Sequence, residues 1–306
     1  MTRIARTIAQ MACAAAALGA AGDAPVVVRE QIWMAPAQDA ALLLSEAPEC
    51  MAAAPIEAEA GRALFRSPFV LGGPAARIGL SCHACHTNGA RNAAFFLPEL
   101  TDRAGAADVT SSWSSAVRGD GVLNPRDIPS LVDAAQRDAF GVDETPSLQD
   151  FIRGVVVDEF QGAEDPNVIA ALTAYVAALE RDACPSPEGY RAPLSVGSAA
   201  DDVRRAVAAL THDPTQAAVA LAARDMIGRI VERLPQRSFA RERAALEASA
   251  RALAHPQTLL AEESRLIAWR ARFDGTIAAI ARRERETYFD ETTLAQALAA
   301  PIRTGR

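Results

Sequence analysis

The chain has 306 residues, of which 50% are hydrophobic but only 5% aromatic, and its formal net charge is −7 at pH 7. Alanine supplies much of the apolar content, and this composition favours closely packed helices over strands of branched and aromatic side chains. The acidic balance and the lack of a basic patch argue against a nucleic-acid-binding protein.

Residues 1–21 have the features of a secretory signal peptide. Arg3 and Arg6 give a basic start, residues 11–18 are apolar, and residues 19–21 are small, as at a cleavage site. The apolar run is too short to cross a bilayer, and no later segment is long and uncharged enough to do so. The sequence therefore predicts export to the periplasm, with no membrane span after signal removal. A retained N-terminal anchor is the alternative.

Residues 22–55 contain four prolines, and we expect short helices and irregular wrapping there. Residues 38–44 are the best helical piece of this segment. A longer helix is predicted over residues 56–65 from its hydrophobic pattern. Residues 22–55 therefore form an N-terminal wrap that precedes the helix of residues 56–65, the first helix of the next predicted domain.

Cys82, Cys85 and His86 form a C-x-x-C-H pattern, which is typical of covalent haem c attachment. Two cysteines three residues apart lie on one face of a helical turn, so both thiols can reach the vinyl groups of one porphyrin. The histidine that follows can ligate the iron. The alternatives are a zinc knuckle, which needs a second ligand pair, and a redox dithiol, which needs a βαβ context. We predict one covalent haem c, with His83 as a solvated spacer.

Residues 90–143 are rich in Gly, Asn, Asp, Pro and Ser, which is typical of loops with brief helices. Such a segment becomes ordered if it wraps a large rigid ligand. A helix is predicted over residues 147–156. A clearer one follows, with Asp165 as its cap and Pro166 in its first turn.

The Pro-, Ser- and Gly-rich residues 185–198 predict a linker, after which residues 199–306 are helical in pattern. The predicted helices are separated by proline-containing breaks and cover residues 199–210, 214–234, 238–254 and 257–289. Short connections between long helices imply antiparallel neighbours. The predicted fold is therefore all-α, with a haem domain of residues 56–184 followed by a helical bundle or hairpin stack.

Cys50 and Cys184 remain after signal removal and haem attachment. In an oxidising compartment, two leftover cysteines are expected to form a disulfide, which would join the start of the haem domain to its end. Two buried free thiols are the alternative.

The stretches 61–65 and 172–176 resemble the first and last helices of class I cytochromes c. The run from residue 64 through the haem motif, and the later segment 124–131, resemble a haem domain of the bacterial dihaem cytochrome c peroxidase family. The methylamine-utilisation dihaem enzyme belongs to the same family. The resemblance implies a class I-like domain over about residues 56–179, in which the two helices cross near their glycine and aromatic residues. That family carries two haem motifs, whereas this chain has one.

The sixth ligand of the iron decides between functions, because two strong axial ligands leave no room for a substrate. The stretch 87–165, where an electron-carrying class I cytochrome has its methionine ligand, contains neither methionine nor histidine. Met34, which follows Trp33 in a loop context, is the candidate ligand, and a gap-filling core thioether is its alternative. The other candidates lie outside that stretch and are Met51, Met226, His212 and His255.

A vacant face would open the iron to peroxide, whose cleavage needs a general acid–base group. The resemblance implies a glutamate with a glutamine nearby, and residues 147–160 resemble the segment that carries this pair. Glu159 matches the glutamate, and Gln149 matches the glutamine with a different local spacing. A solvated acidic cluster that caps the next helix is the alternative. Arg77 and Arg118 are candidates for holding the haem propionates.

Three functions stand as hypotheses, because function lies in the distal site and not in the haem alone. The first is electron transfer by an exported monohaem c-type cytochrome with a redox partner protein, which a single haem suffices to perform. The second is a cytochrome c peroxidase-like oxidoreductase with an open distal site for peroxide or another small ligand, assisted by Glu159. The third is a haem-bearing sensor or partner-binding module.

Overall fold

The computed structural model describes residues 27–34, 39–51, 55–141, 143–186, 189–212 and 216–299. The predicted signal peptide, residues 1–21, lies outside these ranges. The described chain is mostly helical, and its strands are confined to two pairs of two-residue strands. Within these ranges no helix is long and apolar enough to cross a membrane. The predicted all-α class is therefore confirmed at the level of secondary structure.

Helices are mostly short in the first half of the chain and mostly long in the second. The α-helices are α1 Ala40–Leu43, α2 Ile56–Phe65, α3 Gly73–Arg77, α4 Cys82–Cys85, α5 Leu148–Gly154, α6 Pro166–Ala177, α7 Val196–Ala209, α8 Gln216–Glu232, α9 Ala240–Ala252, α10 Pro256–Leu260, α11 Glu263–Ala281 and α12 Glu291–Ala299. The strands are β1 Ser45–Glu46, β2 Ala106–Ala107, β3 Arg126–Asp127 and β4 Ala192–Pro193. β1 pairs antiparallel with β4, and β2 with β3.

Helices α2 and α6 cross in direct contact, and Gly61 permits the close approach. A Cβ atom on Gly61 would lie 1.8 Å from the carbonyl oxygen of Ala171. Beside the crossing, the rings of Phe65 and Tyr175 pack with their centroids 5.0 Å apart. Both predicted helices are confirmed, including the cap of α6, where the Asp165 side chain accepts two backbone N–H groups of the first turn.

The carboxylate of Glu49 joins the crossing to the second half of the chain. It accepts hydrogen bonds from Arg62 Nε (2.8 Å) and Arg66 Nη2 (3.0 Å) on and beside α2. It also accepts from Arg205 Nη1 of α7 (3.0 Å) and from the hydroxyl of Tyr175 of α6 (2.8 Å). Although burial alone would raise the pKa of Glu49, the facing guanidinium groups of Arg66 and Arg62 hold it far below its usual range.

Four long helices of the second half close a ring in which α7 packs on α8, α8 on α9, α9 on α11, and α11 on α7. Helix α2 also packs against α7 and α8, so one hydrophobic cluster runs from the α2–α6 crossing into the bundle. Inside the ring, Trp269 stacks on Phe273 with centroids 5.2 Å apart, and both side chains are buried. The predicted bundle is therefore present, and it shares its core with the first half.

The single helix predicted over residues 257–289 is wrong, because the chain turns twice within it. Helix α10 ends at Leu260, and Glu262 has extended backbone (φ −136°, ψ 128°) before α11 begins. A 3-10 turn, Glu284–Glu286, follows α11. Since α10 packs on α8 while α11 packs on α7 and α9, one straight helix could not make both sets of contacts.

Residues 185–198 run along the N-terminal segment where they are described. β4 in this stretch pairs with β1, and the N–H of Leu194 donates to the carbonyl of Leu44 at 2.7 Å.

Cys50 and Cys184 form a disulfide between residues 134 apart in sequence. The predicted disulfide is confirmed, and it joins the segment before α2 to the segment after α6.

We predict that Gly61→Ala destabilises the protein by about 3 kcal/mol, because the new methyl group would overlap backbone atoms of α6 and force the helices apart. Urea unfolding followed by circular dichroism measures the change. The matched control is Gly275→Ala within α11, where an added Cβ meets no atom within 4 Å and alanine favours the helix by about 0.5–1 kcal/mol. Equal stabilities for Gly61→Ala and wild type would contradict the crossing.

Candidate functional site

The two cysteines of the C-x-x-C-H motif lie on one short helical turn. Helix α4 runs from Cys82 to Cys85; Cys82 is half-buried, Cys85 is buried, and neither is in a disulfide. Burial raises the pKa of the Cys82 thiol to about 12 and that of Cys85 even further. A redox-active dithiol works through a lowered thiol pKa, and the shift at this pair has the opposite direction.

His86 is held by one ring nitrogen so that the other is free to bind a metal. Its Nδ1 lies 3.0 Å from the carbonyl oxygen of Pro129, and because a carbonyl can only accept, Nδ1 carries the proton. The lone pair therefore lies on Nε2, which is the usual arrangement of a metal-ligating histidine. Burial lowers the pKa of His86 to about 4, so the imidazole is neutral at pH 7, as ligation requires.

His83 is a buried anchor, so its prediction as a solvated spacer is wrong. Its Nδ1 accepts the backbone N–H of Asn88 at 3.2 Å, and its Nε2 lies 3.4 Å from Glu46 Oε1. The side chain is 5% exposed, and burial lowers its pKa. The partner carboxylate lies in β1, 37 residues earlier, so the C-x-x-C-H motif is fastened to the N-terminal segment.

Asn92 holds the same turn from a second side. Its side-chain Nδ2 donates to the carbonyl of Ala84 at 2.8 Å, and its backbone N–H donates to the carbonyl of Cys85 at 2.9 Å. The same Nδ2 lies 3.7 Å from the sulfur of Met34. Met34 shares a cavity of about 50 Å³ with His83 and Ala84, and His86 is not among the residues that line it. Met34 as sixth ligand stays a prediction.

The other candidate axial ligands are dispersed. Met51 forms an isolated β-bridge with Leu179 beside the core, and Met226 is buried within the bundle cluster. His212 and His255 are both exposed, the first after α7 and the second before α10.

Glu159 is a buried carboxyl group with one oxygen paired and one open. It ends a π-helical turn, Val155–Glu159, that continues α5, and such turns are frequent at functional sites. Its Oε1 accepts from Arg118 Nη1 at 3.0 Å, while Oε2 is buried with no hydrogen-bond partner. The residue is 5% exposed, and burial raises its pKa to about 7.

Gln149 is placed apart from Glu159. It is exposed in the first turn of α5, ten residues before Glu159 along one continuous helical segment. Ten residues span about 15 Å of helix axis, so the two side chains do not converge. Arg118, a propionate candidate, pairs instead with Glu159 and Asp143, and Arg77 is exposed at the end of α3.

Helix α5 presents apolar side chains that the protein covers only in part. It carries Leu148, Phe151 and Ile152, and none of its residues is fully buried. These side chains pack at the edge of the main core cluster, and half-buried Cys82 packs against the same cluster.

Sequence reasoning did not identify the π-helical turn, the Arg118–Glu159 pair, or the roles of Pro129 and Asn92. The resemblance of segment 124–131 to a haem domain is the one sequence signal that points towards Pro129. The Arg118–Glu159 pair joins residues 41 apart in the chain, which a single sequence does not reveal.

The described residues do not bring three or more His, Cys, Asp or Glu side chains together as a set that could hold a metal ion. A haem iron needs only one or two side chains, because the porphyrin supplies the other ligands. The chain matches no protein-family profile, no curated protein and no solved structure in comparisons with known proteins.

We predict that Glu159 makes stability depend on pH between about 4.5 and about 7. The folded state binds this proton more tightly than the unfolded state, so its contribution is present at low pH and is lost as the pH rises through about 7. The stability of wild type relative to Glu159→Gln is expected to fall by about 3 kcal/mol between pH 4 and pH 8.

Urea unfolding of both proteins at several pH values measures this difference. The control is Glu164→Gln, because Glu164 is exposed and its pKa is lowered by Arg153, so any trend has the opposite sign. A difference between wild type and Glu159→Gln that does not change with pH would contradict the raised pKa.

Proposed function

We propose that residues 56–184 form a class I cytochrome c-like domain that binds one haem c covalently through Cys82 and Cys85, with His86 as iron ligand. The support is the pairing of both thiols on one turn with an imidazole whose Nδ1 is held by a backbone carbonyl. The signal-like N-terminus and the Cys50–Cys184 disulfide support export to the periplasm, where disulfides persist.

We propose further that the protein is a peroxidase-like oxidoreductase in which the face of the haem opposite His86 is open to peroxide. The observation that supports this proposal is the buried carboxyl group of Glu159. The haem, when bound, supplies an iron that can bind peroxide and exchange electrons. Reducing hydrogen peroxide to two waters consumes two electrons and two protons, and the electrons come from a redox partner. A buried carboxyl group with a pKa of about 7 is suited to move the protons, because both of its protonation states are populated at neutral pH.

In this proposal Arg118 orients the carboxyl group of Glu159, and the carboxyl oxygen without a hydrogen-bond partner transfers the proton. Arg118 donates to Oε1 and so fixes the orientation of the carboxyl group, while Oε2 has no hydrogen-bond partner in the described chain. The open oxygen is the atom that would accept a proton from bound peroxide and return it to the leaving oxygen. A buried polar atom without a partner is costly, which fits a position whose partner is a ligand.

Electron transfer alone is the second candidate, and the position of Met34 favours it. The amide of Asn92 that contacts the Met34 sulfur also bonds to Ala84, between the two cysteines. A methionine ligand would raise the potential and close the distal face. In this case Glu159 would have no catalytic role.

The absorption spectrum of the ferric protein, matured in a host that attaches haem c, separates the two candidates. We expect a high-spin spectrum that shifts when cyanide or peroxide is added. We also expect Glu159→Gln to slow the reaction with peroxide by about 100-fold, with haem content and cyanide affinity unchanged.

Glu164→Gln, the same substitution at an exposed glutamate nearby, is expected to react like wild type. A methionine-to-iron charge-transfer band would favour the electron carrier. An unchanged rate with peroxide in Glu159→Gln would remove the residue from the mechanism.

A further inference from the structure

Met34 lies at the edge of a polar cavity where three parts of the chain meet. The cavity is lined by Met34 of the N-terminal segment, by Ala84 of the C-x-x-C-H turn and by Arg229 of α8. Its volume is about 50 Å³, and because a water molecule needs only about 10–15 Å³ in such a space, hydrogen peroxide also fits. Neither Cys82 nor His86 is among the described residues that line it, so a molecule in the cavity does not contact the proposed haem ligands.

Two carboxylate groups of this cavity lack a hydrogen-bond donor. Glu30 Oε2 and Asp225 Oδ2 are buried without a hydrogen-bond partner in the described chain. Arg233 Nη2 lies 3.4 Å from Glu30 Oε2 as an ion pair. A buried acceptor without a donor is costly, and a small molecule that donates hydrogen bonds meets this need. Hydrogen peroxide, like water, donates from both ends, so the cavity is suited to hold it beside Met34.

The surroundings of the Met34 sulfur offer donors that a thioether uses poorly. The side-chain Nδ2 of Asn92 donates to the carbonyl of Ala84 at 2.8 Å, and the same nitrogen lies 3.7 Å from the sulfur. The guanidinium groups of Arg29 and Arg229, which can only donate, line the same cavity. A thioether is a weak acceptor, whereas a sulfoxide oxygen is polar. The cavity therefore suits the oxidised form of Met34.

Of the other methionines, none in the described chain lines this cavity. Met1 and Met11 fall in the predicted signal peptide. Met226 is 5% exposed within the apolar core of the bundle. Met51 is half-buried like Met34, but it packs against the main core cluster. An oxygen atom added to Met51 or Met226 would lie against apolar side chains, which is costly.

We propose that Met34 is a modification site, where hydrogen peroxide oxidises the thioether to a sulfoxide whose oxygen lies in the cavity within reach of the Asn92 amide. The sulfur lone pair attacks one peroxide oxygen, and the O–O bond breaks. The departing oxygen keeps its hydrogen, takes the proton of the transferred oxygen and leaves as water. Sulfur is thereby oxidised by two electrons, and the peroxide is reduced.

The modification consumes peroxide next to the C-x-x-C-H turn, and methionine sulfoxide reductases can reverse it. The presence of peroxide at this place rests on the proposed function, whereas the reaction itself needs no haem. Oxidation and iron ligation both use the lone pair of the Met34 sulfur. A methionine that ligates the iron is therefore protected from peroxide, and the two roles exclude each other.

The test exposes the haem-loaded protein to a small excess of hydrogen peroxide and follows oxygen uptake at each methionine by peptide mass spectrometry. Digestion after glutamate separates Met34 from Met51, because Glu46 and Glu49 lie between them. We expect Met34 to gain one oxygen atom about tenfold faster than Met51, which is also half-buried, and Met226 to react last.

The walls of the cavity also make the stereochemistry informative. Attack on one side of the sulfur gives one sulfoxide epimer in large excess, whereas a freely rotating methionine gives both. The digested protein is treated separately with the two classes of methionine sulfoxide reductase, each of which reduces one epimer. We expect one class to remove nearly all of the added oxygen from the Met34 peptide and the other class to remove little.

Met34→Leu, which conserves the side-chain volume, is expected to lose the fast oxygen uptake with its haem content unchanged. The matched control is Met51→Leu, which is expected to keep the fast uptake of wild type. If Met34→Leu does not fold, the rates and epimers of the wild-type peptides decide the question by themselves.

Equal rates at Met34 and Met51 would overturn the proposal, and so would an equal mixture of Met34 epimers. Fast oxidation of Met34 in the haem-free Cys82→Ala, Cys85→Ala variant, with protection in the haem-loaded protein, would overturn it in favour of iron ligation. The haem-dependent reduction of peroxide by a small chemical reductant is measured separately. Its failure would count against the peroxidase assignment, while the result at Met34 stands by itself.

Discussion

The half-buried carboxylate of Glu49 makes the contacts on which the arrangement of the two halves depends. It bonds to residues of α2, α6 and α7, and it adjoins Cys50, which the disulfide joins to Cys184. A buried charge costs several kcal/mol unless it is paired and hydrogen-bonded, and here three guanidinium groups and a phenol share it. Removing the carboxylate would leave the arginines without their common partner. The α2–α6 crossing and the bundle are thus held by the same group.

The C-x-x-C-H motif is connected to Glu49 and its arginines by a short chain of hydrogen bonds. Arg66 bonds to Glu49 and to the side chain of Asn88. Asn88 in turn donates to Glu46 and to His83, which lies between the two cysteines. The carbonyl of Pro129 holds His86, so both histidines of the motif are joined by hydrogen bonds to segments outside it.

Local chemistry made part of the fold predictable. The helix that begins at Pro166 is predictable from its N-cap residue and its first-turn proline. Gly61 is the position where α2 approaches α6 closely. Contacts between distant segments were not predictable. The sequence does not reveal that His83 is buried, because its partner Glu46 lies 37 residues away, and the break at Glu262 contains neither glycine nor proline. The C-x-x-C-H motif predicts a cofactor from the sequence alone, whereas the pairing of Arg118 with Glu159 is visible only in the folded chain.

The central claim is that a porphyrin is joined to Cys82 and Cys85, and intact-protein mass spectrometry under denaturing conditions tests it most directly. The protein is produced with export and a haem c maturation system, in parallel with a Cys82→Ala, Cys85→Ala variant. We predict that the wild type carries the added mass of one haem after denaturation and solvent extraction, and that the variant carries none. A wild-type protein with the mass of its polypeptide alone would contradict the account.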